Sequence, residues 1–581
     1  MSETSTKRDL LVFWGLFVLL NMMLFIPNFI AFYEVSTFLP SSTIPSGALT
    51  GKLRLFFIRN NHDLFRIAAD FVLLFSFLWI FKHNKRLRIL SVTVLSVYYL
   101  LQLYYNIYYE FYQKFYGEAP YFLNDFVLLK EVMPIFLREV SFGYATSFIL
   151  PILSFLIASG LIVFFIKSII SSFEKVKHLK STKWIFGIFA IFIVISTVKY
   201  WDNPYNPHWL TVQWMTPRII KSAHLKNADK LKKIENEKAY RDNLQSALIE
   251  KPDIYFIFIE SYGTVATLAP ELDSAYNVLS SELLQSLNND GWHMASTYSI
   301  SPIKGGRSWL AFSSTLSGVK IENQVQYNDM INVNYNFPHL PRYLNTQGYQ
   351  TYRMSTMSNV NTDSLIPENR INRFWGFDDW IMYNDIPYKG FKYDYLGGLP
   401  DQYALGYFED EITKNVSDPK FLFFITMSSH GPWYEPPPIM DHWQELDGLK
   451  NEKIPELEGE SIDRYQKSIT YELKVVTNFI KEKIDSNSIV VLLGDHQPPT
   501  LEYKIWNYSD DAATPFHIIS KDSVFVNSFL EYGLQTGIKV DISDKKYLNH
   551  QGVYSLFLRQ LIKNYGEEGA ELPQYFPNGL E

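Results

Sequence analysis

The chain has 581 residues, enough for two or more domains, and its net charge of −7 at pH 7 gives no indication of nucleic-acid binding. It contains no cysteine. Disulfides, thiolate metal sites and a cysteine nucleophile are therefore excluded, and any bound metal must be held by carboxylate, imidazole or hydroxyl groups.

The first 200 residues hold most of the apolar excess and predict a transmembrane domain. An apolar helix needs about 20 residues to cross the hydrocarbon of a bilayer. The second predicted span is the weakest because Arg66 and Asp70 lie in its first turns. The first follows Lys7 and Arg8 and shows no small-residue cleavage site, which favours an uncleaved span. The five predicted spans are Leu10–Phe32, Leu64–Phe81, Ile89–Tyr108, Phe148–Ile166 and Trp184–Val198.

Basic residues between the predicted spans indicate the orientation of the chain. Residues 82–88 and 167–183 are rich in lysine and arginine, and loops of this kind face the cytoplasm. Five spans then place everything after residue 200 outside the cell, so we expect a multi-pass protein of the plasma or inner membrane. If one weak span is instead a buried or interfacial helix, the orientation is inverted. Residues 201–250 are predicted to be a linker region, with a surface helix over residues 217–250.

Residues 251–581 predict a soluble α/β domain with a mainly parallel central sheet. Short apolar runs alternate here with longer amphipathic segments, which is the pattern of such domains. The runs Ile254–Ile259, Phe421–Ile425 and Ile489–Leu493 are continuously apolar. Continuous runs of this length are typical of central strands that are covered on both faces.

Each of these three runs leads directly into polar residues. Glu260 follows the first, His430 lies shortly after the second, and Asp495 and His496 follow the third. Ligands of open α/β sheets bind beyond the carboxyl ends of the strands, so the three ends predict a single site. Taken one by one, these residues have simpler interpretations, such as a solvated glutamate or a structural histidine.

A fourth segment, between the first two strands, supplies a candidate nucleophile. Gly305, Gly306 and Arg307 precede Ser308, and the apolar residues that follow predict a short helix ending at Gly318. A hydroxyl at a helix N-terminus lies among free N–H groups, where an alkoxide or a phosphoryl group is stabilised. With Glu260, Asp495 and His496, Ser308 offers three oxygen ligands and one nitrogen ligand. This set suits one divalent ion, namely manganese, zinc or magnesium, which would lower the pKa of the serine.

The order of these segments resembles the sulfatase-like, lipoteichoic-acid-synthase type of phosphotransferase within the alkaline phosphatase superfamily. The matching pieces are "IYFIFIES", "GGRSW", "SSHGPW" and "GDHQPP", spread over residues 254–499. The resemblance implies one catalytic metal bound by Glu260, Ser308, Asp495 and His496, with Ser308 as the nucleophile. It also implies that His430 contacts the substrate head group.

Three departures from the family pattern bear on the substrate. The phosphoglycerol-handling residues of the polyglycerol-phosphate synthases are not recognisable after Gly348, where Arg353 is the candidate instead, and Arg307 is a further candidate for a phosphate contact. The "GDHGES" signature of the phosphoethanolamine transferases is absent, and the histidine after His496 is His517. Ser308 also lacks the C/S-x-P-x-R context of a formylglycine sulfatase, which argues against sulfate-ester hydrolysis.

The sequence therefore predicts a membrane-bound, metal-dependent transferase. The donor is expected to be a membrane phospholipid, with phosphoglycerol moved from phosphatidylglycerol to Ser308 and then to a glycan or glycolipid acceptor outside the cell. Three alternatives stay open at this point. They are a phosphoethanolamine transferase, a phosphodiesterase or phosphatase with the same core, and a membrane scaffold without catalysis.

Overall fold

The structure is a computed structural model in which the chain divides into two compact units, Met1–Lys114 with Ala119–His224, and Phe115–Glu118 with Leu225–Glu581. The predicted linker over residues 201–250 lies outside the described residues except for residues 246–250. The described residues are 3–41, 62–64, 66–80, 85–120, 144–200, 246–332, 338–357, 368–393, 398–431, 433–449, 460–499, 501, 512–541 and 547–580.

The described part of the first unit is helical at each of the five predicted segments. The helices are α1 (Glu3–Ala31), α2 (Ala69–Ile80), α3 (Lys85–Tyr116), α4 (Tyr144–Val176) and α5 (Lys180–Tyr200). Within the described residues, three stretches are long and apolar enough to cross a membrane: Thr6–Ala31, Arg86–Tyr116 and Leu153–Val176. The structure thus contains candidate membrane helices, and the count of five spans stays a prediction.

Helix α2 begins at Ala69, five residues after the start of the predicted span Leu64–Phe81. Arg66 precedes the helix, and Asp70 lies in its first turn. The Asp70 carboxylate accepts hydrogen bonds from Tyr98 Oη and Gln102 Nε2, both at 2.6 Å. The described part of α2 has 12 residues, and residues 81–84 lie outside the described residues, so the second span stays a prediction.

Aromatic side chains form the core of the first unit. Phe13 and Phe17 on α1 are buried, as are Phe75 on α2 and Phe173 on α4. The ring centroids of Phe13 and Phe75 are 5.7 Å apart, and those of Phe75 and Phe173 are 5.2 Å apart, both with edge-to-face geometry. Such pairs stabilise helix packing beyond the area they bury.

The second unit is the predicted α/β domain. Its strands are β1 (Asp253–Ile259), β2 (His293–Ile300), β3 (Gln350–Ser355), β4 (Asp379–Ile381), β5 (Lys420–Ile425), β6 (Ser488–Gly494), β7 (Ala513–Ser520), β8 (Gln535–Thr536) and β9 (Leu548–Asn549). Its helices are α6 (Val265–Leu268), α7 (Pro270–Asn289), α8 (Ser308–Ser317), α9 (Gln324–Asn332), α10 (Leu340–Thr346), α11 (Glu368–Trp375), α12 (Asp401–Tyr407), α13 (Ser461–Glu482), α14 (Ser523–Asn527) and α15 (His550–Tyr565).

The described strands form one nine-stranded sheet in the order β4-β3-β5-β1-β6-β7-β2-β8, with β9 paired to β2. Strands β4, β3, β5, β1 and β6 are mutually parallel, and β7 runs antiparallel to both of its neighbours. The three apolar runs of the sequence are β1, β5 and β6, which lie side by side at the centre. The prediction of an α/β domain with a mainly parallel sheet is therefore confirmed.

Both faces of the central strands are covered. Along β1, Ile254, Phe256 and Phe258 pack into one buried cluster, and the alternating residues Tyr255 and Ile257 pack into the other. This alternation is the two-residue period of a strand. Two-sided burial explains why β1 is continuously apolar, and it leaves the carboxyl ends of the strands as the place where polar groups gather.

Candidate active site

The carboxyl ends of β1 and β6 bring together the three side chains that could hold a metal ion. Strands β1 and β6 pair in parallel with Ile259 opposite Gly494, so the residues that follow, Glu260 and Asp495, are neighbours. One ligand atom each from Glu260, Asp495 and His496 lies within 4.8 Å of the others, and all three residues are buried. A side chain on Gly494 would collide with Tyr262 O, so glycine there permits the close approach of the two segments.

Ser308 places its hydroxyl against this group. Its Oγ donates to Glu260 Oε2 at 3.3 Å and lies 3.2 Å from His496 Nε2. Ser308 is the first residue of α8, and it follows two residues in the left-handed region, Gly306 at φ 56° and Arg307 at φ 59°. This turn directs the start of the helix, with its free N–H groups, toward the ends of the strands.

Hydrogen bonds orient the ligand atoms. The Nδ1 of His496 lies 2.8 Å from Gln497 O, and because a carbonyl can only accept, Nδ1 carries the proton and Nε2 presents a lone pair. The Oδ1 of Asp495 accepts from Ser261 N at 2.8 Å and from His496 N at 2.7 Å. Asp495 Oδ2 is buried without a hydrogen-bond donor among the described residues and lies 3.2 Å from His496 Nε2.

The electrostatics of the group favour a cation. Burial, together with the neighbouring Glu260 carboxylate, raises the pKa of Asp495 to about 7, while His496 and Ser308 act in the opposite direction. Two buried carboxylates and an imidazole lone pair directed at one point repel each other unless a positive charge lies between them. The residues present therefore fit a divalent ion bound by oxygen and imidazole nitrogen.

Ser261 supports the group, although its role could not be predicted from the sequence. Its Oγ donates to Glu260 Oε1 at 2.8 Å, and its N–H donates to Asp495. This double contact depends on a left-handed backbone with φ 59°, which is uncommon for a residue with a side chain. Tyr465 Oη donates to Ser261 O at 2.8 Å and holds the turn. The only signal in the sequence is that a small hydroxyl residue directly follows a strand-end glutamate.

His430 lies on the loop after β5. Its half-buried ring approaches Gly431 O at 2.5 Å through Nδ1. Burial lowers its pKa, while the hydrogen bond to Gly431 O opposes the shift. His496 adds to the lowering and Asp495 opposes it, so the ring lies within electrostatic range of these two candidate metal ligands. The proposed contact between His430 and a head group stays a prediction.

The two arginines have surroundings that the sequence did not indicate. The Arg353 guanidinium lies 4.1 Å from the ring centroid of Trp380 and 5.4 Å from that of Phe312 on α8, a cation–π arrangement. The Arg307 side chain is buried and forms an ion pair with Glu118, a residue of the same compact unit. Their substrate-binding roles stay predictions.

His517, the first histidine after His496 in the sequence, is a structural residue. It lies on β7, is fully buried, and its Nδ1 contacts Ser296 Oγ at 2.6 Å. Its Nε2 lies 3.3 Å from Tyr262 Oη. Burial lowers its pKa to about 3, so the ring is neutral in the folded protein at neutral pH.

Part of this domain matches a known family model. Residues 285–526 match the Sulfatase family model. The matched range contains Ser308, His430, Asp495 and His496 and begins after Glu260. The resemblance seen in the sequence motifs is thus borne out by an independent match to the family.

Individual relatives are distant. The chain is 28% identical over 138 residues to the "Putative cyclic beta-1,2-glucan modification protein" of Rhizobium meliloti (strain 1021), a match covering 21% of this chain and 21% of that protein. The match spans about a fifth of the relative's length. The crystal structure of the lipoteichoic acid synthase LtaP from Listeria monocytogenes is 15% identical with a TM-score of 0.37, covering 59% of this chain and 80% of that chain. The structure of the Streptococcus pyogenes phosphoglycerol transferase GacH in complex with sn-glycerol-1-phosphate is 17% identical with a TM-score of 0.32. The match covers 58% of this chain and 79% of that chain.

Proposed function

We propose that the chain, whose residues 285–526 match the Sulfatase family model, is a membrane-bound, metal-dependent phosphotransferase that uses Ser308 as its nucleophile. It moves a lipid-derived head group, phosphoglycerol from phosphatidylglycerol, to a glycan or glycolipid acceptor outside the cell. The observation that carries the proposal is the position of Ser308 Oγ, 3.2 Å from His496 Nε2 and 3.3 Å from Glu260 Oε2. A hydroxyl that only capped a helix would not need to contact two candidate metal ligands, Glu260 and His496.

The reaction has two displacements at phosphorus. In the first, a bond forms between Ser308 Oγ and phosphorus as the bond from phosphorus to the diacylglycerol oxygen breaks. The serine proton is lost, and the diacylglycerol oxygen takes up a proton. In the second, a hydroxyl of the acceptor displaces Ser308, which regains its proton. A divalent ion bound by Glu260, Asp495 and His496 would lower the pKa of the serine and neutralise charge on the phosphoryl group.

The residues of the chain position the substrate and the nucleophile. Glu260 Oε2 accepts the hydrogen bond of Ser308, which fixes the direction of the hydroxyl. The N–H groups at the start of α8 and the buried Arg307 favour a phosphoryl group on Ser308. His430 is proposed to bind the head group, with Arg353 as a second contact for phosphate. The apolar helices of the first unit would keep the enzyme at the surface that supplies the lipid.

Intact mass spectrometry of the detergent-solubilised full chain tests the proposal. After incubation with phosphatidylglycerol and manganese or zinc, we expect an adduct with the mass of phosphoglycerol. Parallel incubations with phosphatidylethanolamine and with water as the only acceptor separate a phosphoethanolamine transferase and a phosphodiesterase from the proposed enzyme. The absence of any adduct or turnover with all lipids and metals would support a scaffold without catalysis.

Ser308→Ala should abolish the adduct, and Ser313→Ala is the matched control. Ser313 lies on the same helix and is fully buried, but it is more than one turn beyond the helix start. Ser314 and Thr315 are less suitable controls because their hydroxyls donate to the helix carbonyls of Leu310 and Ala311. An adduct that survives Ser308→Ala and disappears with Ser313→Ala would identify a different nucleophile.

A further inference from the structure

The loop that carries His430 is held at its start by a buried carboxylate on another element. Strand β5 ends at Ile425, and the amides of Met427 and Ser428 then donate to Asp401 Oδ2 at 2.8 and 2.6 Å. Asp401 is fully buried and is the first residue of α12. Hydrogen bonds from amides to a carboxylate are stronger than those to a neutral acceptor, so this contact restrains both amides.

The same loop also holds the backbone of Glu260. Thr426 Oγ1 accepts from Glu260 N at 3.1 Å, and Ser429 Oγ donates to Glu260 O at 2.7 Å. Trp433 Nε1 donates to Ser429 O at 3.0 Å and closes the loop. The segment from Thr426 to His430 therefore connects Asp401 with the backbone of Glu260, a candidate metal ligand. The same segment ends at His430, the proposed head-group contact.

We propose that Asp401 is a positioning residue, which orients the Thr426–His430 loop and through it both the His430 ring and the Glu260 backbone. The part of this proposal that concerns substrate rests on the proposed function. The part that concerns the loop and metal binding does not, since it follows from hydrogen bonds within the second unit. Asp401 acts through other residues and is not expected to contact the substrate or the metal.

Two further contacts keep Asp401 in place. Thr356 Oγ1, just after β3, donates to Asp401 Oδ1 at 3.3 Å, and Asp401 N donates to Ser428 Oγ at 3.4 Å. Glu472 on α13 is fully buried beside it. Burial and the Asp401 charge raise the pKa of Glu472 well above its usual value, and burial also raises the pKa of Asp401.

The test compares Asp401→Asn with Asp253→Asn in the full chain. Asp253 Oδ1 accepts from Lys420 N at 2.8 Å, so it makes the same type of contact at the opposite end of the same strand. In Asp401→Asn, a neutral amide oxygen accepts the two loop N–H groups more weakly than the carboxylate does, and the amide NH2 group cannot accept from Thr356 Oγ1. We expect amide hydrogen exchange at residues 427–430 to accelerate about tenfold or more, and metal affinity to fall by about tenfold. Asp253→Asn should change neither.

Turnover with the lipid donor gives a separate readout. If the proposed function holds, Asp401→Asn should raise KM for the donor more than it lowers kcat, because head-group binding is lost first. If the chain transfers no head group, the exchange and metal measurements still decide the positioning role. Unchanged loop exchange and unchanged metal affinity in Asp401→Asn, together with a melting temperature lowered as in Asp253→Asn, would overturn it.

Two milder variants keep the test informative if Asp401→Asn does not fold. Thr356→Val removes the hydroxyl that donates to Asp401 Oδ1 and keeps the carboxylate. Loop amide exchange should therefore accelerate, and metal affinity fall, by less than in Asp401→Asn. Glu472→Gln leaves the Asp401 carboxylate and its hydrogen bonds to Met427 and Ser428 in place and should behave nearly as the wild type. Faster loop exchange in Glu472→Gln than in Thr356→Val would contradict the assignment.

Discussion

Replacing Ser261 with alanine should weaken metal binding without displacing any of the proposed ligands. The change removes the hydroxyl that donates to Glu260 Oε1 at 2.8 Å. It keeps the backbone N–H that donates to Asp495, as well as the hydrogen bond from Tyr465 to the Ser261 carbonyl. Glu260 would keep the hydrogen bond from Ser308 but could rotate more easily away from the point at which the ligand atoms converge. Binding an ion would then require the Glu260 side chain to be ordered again.

The size of the effect follows from the kind of hydrogen bond that is lost. A hydrogen bond to a charged group contributes about 1.5–3 kcal/mol, which corresponds to a factor of about 10 to 150 in an equilibrium constant. Removing residues that orient metal ligands typically costs about 10- to 100-fold in affinity. Because Ser261 and Glu260 are both buried, water does not readily replace the missing donor. We therefore expect Ser261→Ala to lower metal affinity by at least about tenfold.

Ser261→Gly separates the hydrogen bond from the backbone conformation. Ser261 has φ 59°, where a side chain costs about 1–2 kcal/mol that glycine does not. Ser261→Gly should therefore bind metal as weakly as Ser261→Ala but melt at a higher temperature than Ser261→Ala in the metal-free form. Competition with a chelating dye measures affinity on the solubilised full chain. Wild-type affinity in Ser261→Ala would refute the orienting role of the hydroxyl.

Three further predictions concern other parts of the chain. A reporter fused after residue 205 should be active only outside the cell, and activity in the cytoplasm would contradict the predicted orientation. His430→Ala should raise KM for the lipid donor while the bound metal stays stoichiometric, and an unchanged KM would remove His430 from the substrate site. His517 has a folded-state pKa of about 3 against about 6.5 when unfolded, so its stabilisation is complete above pH 6.5 and is lost as the pH falls. Between pH 7.5 and 5.5, the wild type should lose about 1.4 kcal/mol more unfolding free energy than His517→Asn, and equal pH slopes would contradict this assignment.

The convergence of Glu260, Asp495 and His496 could be predicted because these residues directly follow the carboxyl ends of β1 and β6. Strands β1 and β6 are continuously apolar, which marks them as central, and their parallel pairing puts the following residues at one edge of the sheet. Ser308 could be predicted for a related reason, because a glycine turn before an apolar helix marks a helix N-terminus. In each case, the information lies within about ten residues of the side chain concerned.

The residues that hold these ligands could not be predicted in the same way. Asp401 contacts Met427 and Ser428, which lie about 26 residues further along the chain, and nothing in the intervening sequence indicates this pairing. Ser261 depends on a left-handed backbone, and serine has no particular preference for that region. Both contacts arise from tertiary packing, which hydrophobic periodicity does not encode.

The start of the second predicted membrane span also depends on tertiary contacts that the local sequence does not indicate. A hydropathy window over Leu64–Phe81 averages Arg66 and Asp70 with their apolar neighbours. In the structure, Asn21 Oδ1 accepts from Ala68 N at 2.7 Å, just before the helix begins. The polar start of α2 is thus satisfied by side chains from α1 and α3, which a window along one segment cannot detect.

Two pairs of carboxylates in the second unit differ in the charge of their partners. Glu409 and Asp410 are neutralised by Lys420 and Lys483, at 2.8 and 2.7 Å. Among the residues that the structure describes, Glu260 and Asp495 form no ion pair with lysine or arginine, and the hydrogen bonds they accept come from neutral N–H and O–H groups. Neutral donors fix the direction of a carboxylate but leave its charge in place. The negative charge at the ends of β1 and β6 is therefore oriented but not compensated by the protein, which is the condition a divalent ion requires.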